Sequence, residues 1–387
     1  MKEVRFSVSY MGENKSEHGL GSLLMWKTLI LTIVLTITLA GLDTLSNRNN
    51  WSGITILLVL IAVAVALLIT SADFFIEGAK GLARRAGIAE VVIGLTIVSI
   101  GTSLPEILVT STAAFEASET GNTDLLDLAI GNIYGSILVQ ITLILGIVVL
   151  FRPFEIRPNW LRRDGLLMLG AVILLSILLI QGNGLSRLEG MCLCLIYISY
   201  MIWLLNNRER IREDELSMVD EIKSNEFSWT STAYIVMIFI GLAMSVYAAS
   251  QLVDHASEIA IMLNVPHAMV GTTMSGLGTS LPELTVALMA ARRSQGVAIG
   301  TLVGSNITDP LLSVGIASIV NPLSISTGSY DLITYLIIPA TILGVCFCLV
   351  MMWTDFKFQR WEGGILIGFY LFFLLFLELQ RRGILAL

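Results

Sequence analysis

Six residues occur twice in this chain, letter for letter. Gly101-Thr102-Ser103-Leu104-Pro105-Glu106 returns as Gly278-Thr279-Ser280-Leu281-Pro282-Glu283, each time within a long apolar run. A charged group at the centre of a membrane helix costs at least ~2.5–3.5 kcal/mol on insertion scales, so a carboxylate there marks a site. On a helix Thr102 and Glu106 are four apart and Ser103 and Glu106 three apart, which places them on one face, as it does Thr279, Ser280 and Glu283. Proline has no N–H, so Pro105 leaves the Gly101 carbonyl without its usual partner, and Pro282 does the same to Gly278. One turn then offers a carboxylate, hydroxyls and carbonyls. Such hard oxygen donors suit Ca²⁺ or Na⁺. The motif contains no thiolate or imidazole, which argues against zinc or copper. Together Glu106 and Glu283 carry enough charge to neutralise one divalent ion.

A second matched pair supplies neighbouring walls. Residues 129–136, from Ala129 to Ser136, correspond to residues 298–305, from Ala298 to Ser305. Gly131/Gly135 and Gly300/Gly304 are spaced to let helices approach closely. At helical spacing Asn132, Ser136 and Gln140 share one face, and Thr301, Ser305 and Asp309 share the corresponding one. Asp309, set in an apolar run, needs a partner.

The elements that carry these residues follow from composition. The 387-residue chain is 55% hydrophobic and 14% charged. That leaves too little polar surface for a soluble globule and predicts a polytopic membrane protein. A net charge of −7 gives no basis for nucleic-acid binding. Eleven apolar segments are expected, near 22–41, 54–76, 89–115, 125–150, 165–182, 188–206, 231–252, 266–291, 297–320, 332–353 and 363–380. Most hold the ~20 residues a helix needs to cross the hydrocarbon core. The first segment reads as a retained helix rather than a cleaved signal, because Thr38-Leu39-Ala40 is a poor cleavage site. Cys192/Cys194 and Cys346/Cys348 lie in apolar runs without His or acid companions, and read as packing residues.

Loop charge sets the orientation. Lys80, Arg84, Arg85, Arg152, Arg157, Arg162, Arg163, Arg208, Arg210, Arg212, Lys223, Arg292, Arg293, Lys357 and Arg360 all fall in alternate connections. The other connections and the C-terminus hold Arg48, Arg187, Arg381 and Arg382. The richer set belongs in the cytoplasm, with the N-terminus inside and the C-terminus outside. The expected organisation is residues 1–53 as tail and extra helix, 54–206 as a first five-helix half, 207–230 as a cytoplasmic linker and 231–387 as a second half. Five spans is an odd number, so the second half enters from the opposite side. The fold class is therefore an all-α polytopic membrane protein with an inverted-topology 5+5 repeat and an extra N-terminal helix, an architecture that secondary transporters use.

The paired hexamers with their downstream Gly-Ser elements resemble the α-repeats of the cation/Ca²⁺ exchanger superfamily, in particular the prokaryotic sodium/calcium exchanger type. The resemblance covers about residues 54–380. It implies ten helices in two inverted halves and exchange of Na⁺ for Ca²⁺ across the cell membrane by alternating access, with no cofactor. It places Ca²⁺ ligands on Glu106 and Glu283, with backbone oxygens of Thr102 and Thr279. Flanking Na⁺ sites would use carbonyls of Ser99 and Gly276 together with Ser103, Ser136, Ser280 and Ser305. Gln140 stands where many members of that family carry Asn, opposite Asp309, and its longer side chain changes the central geometry. The central linker is too short for a regulatory domain.

The expected partners are Ca²⁺, Na⁺ and the lipid bilayer. A Ca²⁺/H⁺ exchanger using the same carboxylates is the alternative. A channel fits the inverted halves less well, and an intramembrane enzyme would need protease motifs that the sequence lacks.

Overall fold

In a computed structural model, the described residues are 14–49, 53–86, 92, 94–153, 155–207, 209–211, 230–262, 272–273, 276–293, 295–382 and 384. Residues 1–13 of the expected tail, nearly all of the 207–230 linker, and residues 89–91, 93 and 266–271 of the hexamer segments lie outside them. The described chain is built almost wholly of helices. That is what lipid imposes, since a helix satisfies its own backbone groups.

The helices are α1 (Asn14–Asn49), α2 (Ile54–Ala86), α3 (Gly94–Thr102), α4 (Leu104–Thr120), α5 (Asp124–Phe151), α6 (Pro158–Gly182) and α7 (Arg187–Asn206). They continue as α8 (Ser231–Met262), α9 (Gly276–Thr279), α10 (Leu281–Arg293), α11 (Gly296–Val320), α12 (Leu332–Trp353) and α13 (Arg360–Arg381). Among the described residues eight of these are long and apolar enough to cross a membrane, and α3 with α4 makes a ninth span bent by 47°. The bend falls at Ser103, whose φ of −79° and ψ of 3° leave the helical region just before Pro105. In the second half α9 ends and α10 begins on either side of Ser280. Each hexamer helix is thus interrupted two residues before its proline.

Burial ranks the helices. The apolar stretch of α5 is 83% buried and that of α11 is 78%, against 28% for α7 and 33% for α13. So α5 and α11 form the centre, and α7 and α13 turn large apolar side chains such as Leu195, Ile202, Leu371 and Phe372 outward, toward the lipid. The two central helices share an irregularity. Each opens into a wide π-helical turn, at Gln140–Ile144 in α5 and at Asp309–Ser313 in α11. These are matched positions of the sequence repeat. Further wide turns lie at Leu161–Gly165, early in α6, and at Leu332–Ile337, where α12 begins.

Glycine sets the closeness of approach. A Cβ on Gly135 would lie 2.1 Å from the Thr272 carbonyl oxygen, and one on Gly304 would lie 2.7 Å from the Ser99 Cβ. Each central helix therefore rests against the hexamer helix of the other half.

The extra helix α1 stands apart from this core. Leu39 packs with Leu60, Ala64, Leu67 and Leu68 of α2 and with Ala248 of α8, in an apolar cluster separate from the main one. Leu29 adds to a third, formed by Phe74, Tyr234 and Met237. At one end of the molecule β1 (Gly184–Leu185) pairs antiparallel with β2 (Leu323–Ser324). Beside it Asp127, 1% exposed, accepts from the Ser326 amide at 2.9 Å and from its hydroxyl, which fastens that loop to the start of α5.

Candidate functional site

The repeated residues converge where α3, α4, α5, α9, α10 and α11 meet. Glu106, Glu283, Asp309, Ser136, Gln140, Ser280, Ser305, Ser99, Ser103 and Thr279 are all 0% exposed, and Thr102 is 3% exposed. Helix breaks at Ser103 and Ser280 present the ends of short helices there, and the glycines of α5 and α11 bring the two hydroxyl walls into contact.

Ser136 is the hub. Its hydroxyl donates toward Glu106 Oε1 at 3.0 Å, lies 2.6 Å from Ser280 Oγ and 3.4 Å from Asp309 Oδ2. Gln140 Nε2 donates to Ser136 Oγ at 2.9 Å and reaches Ser280 Oγ and Asp309 Oδ2 at 3.3 Å each. Ser280 also reaches Glu106 Oε1 at 3.3 Å. The pairing of Gln140 with Asp309 across the repeat axis, expected from the alignment, is a direct contact.

The opposite group is looser. Ser305 donates to Glu283 Oε1 at 3.2 Å and lies 3.4 Å from Thr102 Oγ1, while the Thr102 hydroxyl also faces Glu283. Ser103 and Ser313 face Asp309. Thr279 approaches Asn132 Oδ1 and the Gly276 carbonyl, both at 3.4 Å. The carbonyls of Ser99 and Gly276 accept from the amides of Ser103 and Ser280 at 3.0 and 3.3 Å, so each keeps its helical bond. Thr301 turns away to its own helix, donating to the Val297 carbonyl at 2.7 Å.

Several polar residues that the motifs did not mark complete the walls. Thr308 Oγ1 lies 2.9 Å from Ser99 Oγ and 3.1 Å from Tyr197 Oη. Thr110 receives the Asn132 amide at 3.5 Å. Their only sequence signal is a hydroxyl in an apolar run. The matched positions are apolar, Val139 for Thr308 and Ala287 for Thr110, so the repeat itself does not flag them.

The electrostatics are one-sided. Among the described residues no basic side chain pairs with Glu106, Glu283 or Asp309. Glu106 Oε2 and Glu283 Oε2 are buried without a hydrogen-bond partner. A buried carboxylate oxygen left unpaired is costly, and a cation is the group that offsets it. Among the described residues no three His, Cys, Asp or Glu side chains converge at metal-ligand spacing. A cation held here would therefore draw most of its oxygens from hydroxyls, the Gln140 amide and backbone carbonyls, a mixed oxygen set of the kind that Ca²⁺ accepts.

Helices broken at membrane depth, duplicated around a buried acidic centre, define a secondary transporter. The chain belongs to the sodium/calcium exchanger protein family, whose model matches residues 56–206 and 233–378. It is similar to the sodium/calcium exchanger MaX1 of Methanosarcina acetivorans, with 30% identity over 357 residues, 84% of this chain and 99% of that protein. The inner membrane protein YrbG of Escherichia coli is 30% identical over 70% of this chain and 82% of its own length. A structure of the sodium-calcium exchanger NCX_Mj, soaked with Na⁺ and Sr²⁺, aligns with a TM-score of 0.64 at 28% identity, covering 82% of this chain and 97% of that one. The protein is thus a multi-pass membrane transporter of the cation/Ca²⁺ exchange type and not an enzyme.

Proposed function

We propose that the protein is an antiporter of the cell membrane that exchanges Na⁺ for Ca²⁺ by alternating access, using Glu106 and Glu283 as the shared ligands. The observation that carries this reading is the pair of unpartnered, fully buried carboxylate oxygens, Glu106 Oε2 and Glu283 Oε2, set among hydroxyls with no basic side chain paired to them among the described residues. Ca²⁺ takes the two glutamates with oxygens of Thr102 and Thr279. Na⁺ takes the flanking groups, Ser103, Ser136, Ser280 and Ser305 with the carbonyls of Ser99 and Gly276, while Gln140 and Asp309 hold the centre. Repulsion among bare carboxylates in a low-dielectric core opposes closure of an ion-free site. Only the ion-loaded forms then cross between the two faces, which makes the exchange coupled. Residues 54–206 and 231–387 act as two inverted halves, with the N-terminus in the cytoplasm and the C-terminus outside.

Ca²⁺ flux into proteoliposomes under an imposed Na⁺ gradient at uniform pH, and under a pH gradient at uniform Na⁺, tests the reading. Uptake driven by Na⁺ is expected. Uptake driven by the pH gradient alone would replace Na⁺ with H⁺ as the counter-ion, and flux indifferent to either would remove the antiporter.

A further inference from the structure

A small recess adjoins the site behind Gln140. It is lined by Gln140, Ile141 and Leu145 of α5, Met168 of α6, Ile299, Leu302, Val303 and Asn306 of α11, and Cys348 and Met352 of α12. These residues place it toward the end of the molecule that carries Arg152 and Trp353. Alkyl groups and sulfur make up nearly all of its wall. The exceptions are two amides, and each has an oxygen with no hydrogen-bond partner, Gln140 Oε1 and Asn306 Oδ1. Both residues are 0% exposed.

Neither amide can relieve this by turning over. An ionised Asp309 can only accept, so its Oδ2 at 3.3 Å holds the Gln140 –NH₂ toward it. Asn306 likewise spends its –NH₂ on the Leu302 carbonyl at 2.6 Å, another pure acceptor. Both unpaired acceptors thus belong to residues that line one recess. The matching group would carry two donors and fit a space the size of one molecule. A water has two O–H donors, and a polar recess of about 10–15 Å³ is enough to hold it. A cation fits poorly, because two neutral oxygens among alkyl groups fall far short of the six or so that Na⁺ or Ca²⁺ requires.

We propose that a single ordered water binds here and donates to both Gln140 Oε1 and Asn306 Oδ1. Its consequence is orientational. With its oxygen held from behind, Gln140 keeps its –NH₂ aimed at Ser136, Ser280 and Asp309, and so acts in its fixed sense on the cation ligands. Gln140 is longer than the asparagine common in the resembling family, and the water occupies the space behind its reach. The device is not repeated in the other half. The position matched to Asn306 is Ile137, buried and with an apolar side chain, so this pair of acceptors has no counterpart there.

X-ray hydroxyl-radical footprinting reads bound water directly, because radicals formed from it oxidise adjacent sulfur. Met168, Met352 and Cys348 lie in the recess wall and are 0%, 2% and 0% exposed, while Met237, 5% exposed, packs in the apolar cluster of Phe74 and Tyr234. In the intact protein in nanodiscs, Met168 and Met352 should oxidise on the order of tenfold faster than Met237, as buried water rather than bulk access dictates. Asn306→Leu should abolish that excess and shift the KM for Ca²⁺ more than the maximal rate. Asn306→Ser, which keeps an acceptor and can still bond the Leu302 carbonyl, should restore both. Oxidation of Met168 and Met352 no faster than Met237 in the unmodified protein would overturn the proposal, and so would an excess that survives Asn306→Leu. The footprint does not depend on which ion is exchanged, so failure of the Na⁺ reading leaves it standing.

Discussion

Replacing Gly135 by alanine should separate the two halves at the site, and the size of the effect follows from backbone distances. The added Cβ would lie 2.1 Å from the Thr272 carbonyl oxygen and 2.6 Å from its C and Cα atoms. All three are main-chain atoms, so no rotamer change relieves the overlap. Reaching even 3.0 Å from that oxygen requires the helices to part by roughly 0.9 Å. The next residue, Ser136, contacts Ser280 Oγ at 2.6 Å. The same displacement carries that pair to roughly 3.5 Å, beyond a normal O–H···O bond. Overpacking of this kind costs about 1–3 kcal/mol. A misplacement of about 1 Å in an organised site costs on the order of 10²-fold in rate. Gly304→Ala should be milder, since its nearest backbone contact is the Leu95 Cα at 3.0 Å and its closest neighbours are side-chain atoms of Ser99. Gly170→Ala and Gly364→Ala serve as controls, because nothing lies within 4 Å of either new methyl. Initial Ca²⁺ uptake in proteoliposomes and thermal unfolding in detergent would be measured for all four. If Gly135→Ala exchanged at the unmodified rate with an unchanged Tm, the close-approach argument would be refuted.

Glu106→Gln and Glu283→Gln should each abolish Ca²⁺ exchange while leaving folding intact, since each keeps the side-chain volume and removes charge from a centre without basic partners; normal transport in either would unseat the ligand assignment. Tyr200→Phe removes the hydroxyl that donates to Asp164 Oδ1 at 2.9 Å, leaving that buried carboxylate to Arg163. It should lower stability by about 1.5–3 kcal/mol, as loss of a hydrogen bond to a charged group does, visible as a lower Tm with Ca²⁺ affinity unchanged. Asp127→Ala frees the amide and hydroxyl of Ser326 and should raise hydrogen exchange in residues 323–329 specifically; uniform protection there would contradict the clamp. In a cysteine-free background, a membrane-impermeant thiol reagent applied to whole cells should label Asn122→Cys and spare Asp355→Cys, and the reverse pattern would invert the assigned orientation.

The sequence carried the plan of the molecule because membrane folding leaves few choices. Apolar runs became helices, and Pro105 marked the break whose 47° bend turns Glu106 inward. The exact hexamer repeat identified which acids share a centre, and simple helical spacing put Ser136 and Gln140 together. The same spacing misled for Thr301, which bonds its own helix, and stayed silent on Thr308, whose partners Ser99 and Tyr197 come from other helices. Such contacts depend on how elements cross, which periodicity within one element does not encode. The Asn306 recess was invisible for a related reason. It exists only where α5, α6, α11 and α12 fail to close completely, and no single segment records that gap.

The wide turns at Gln140–Ile144 and Asp309–Ser313 begin at matched positions of the two halves. Such a turn closes its hydrogen bonds from i to i+5 and widens the helix by one residue. The same opening therefore sits beside an amide on one wall and an acid on the other, so two like stretches of backbone present unlike side chains to the centre, Gln140 from α5 and Asp309 from α11.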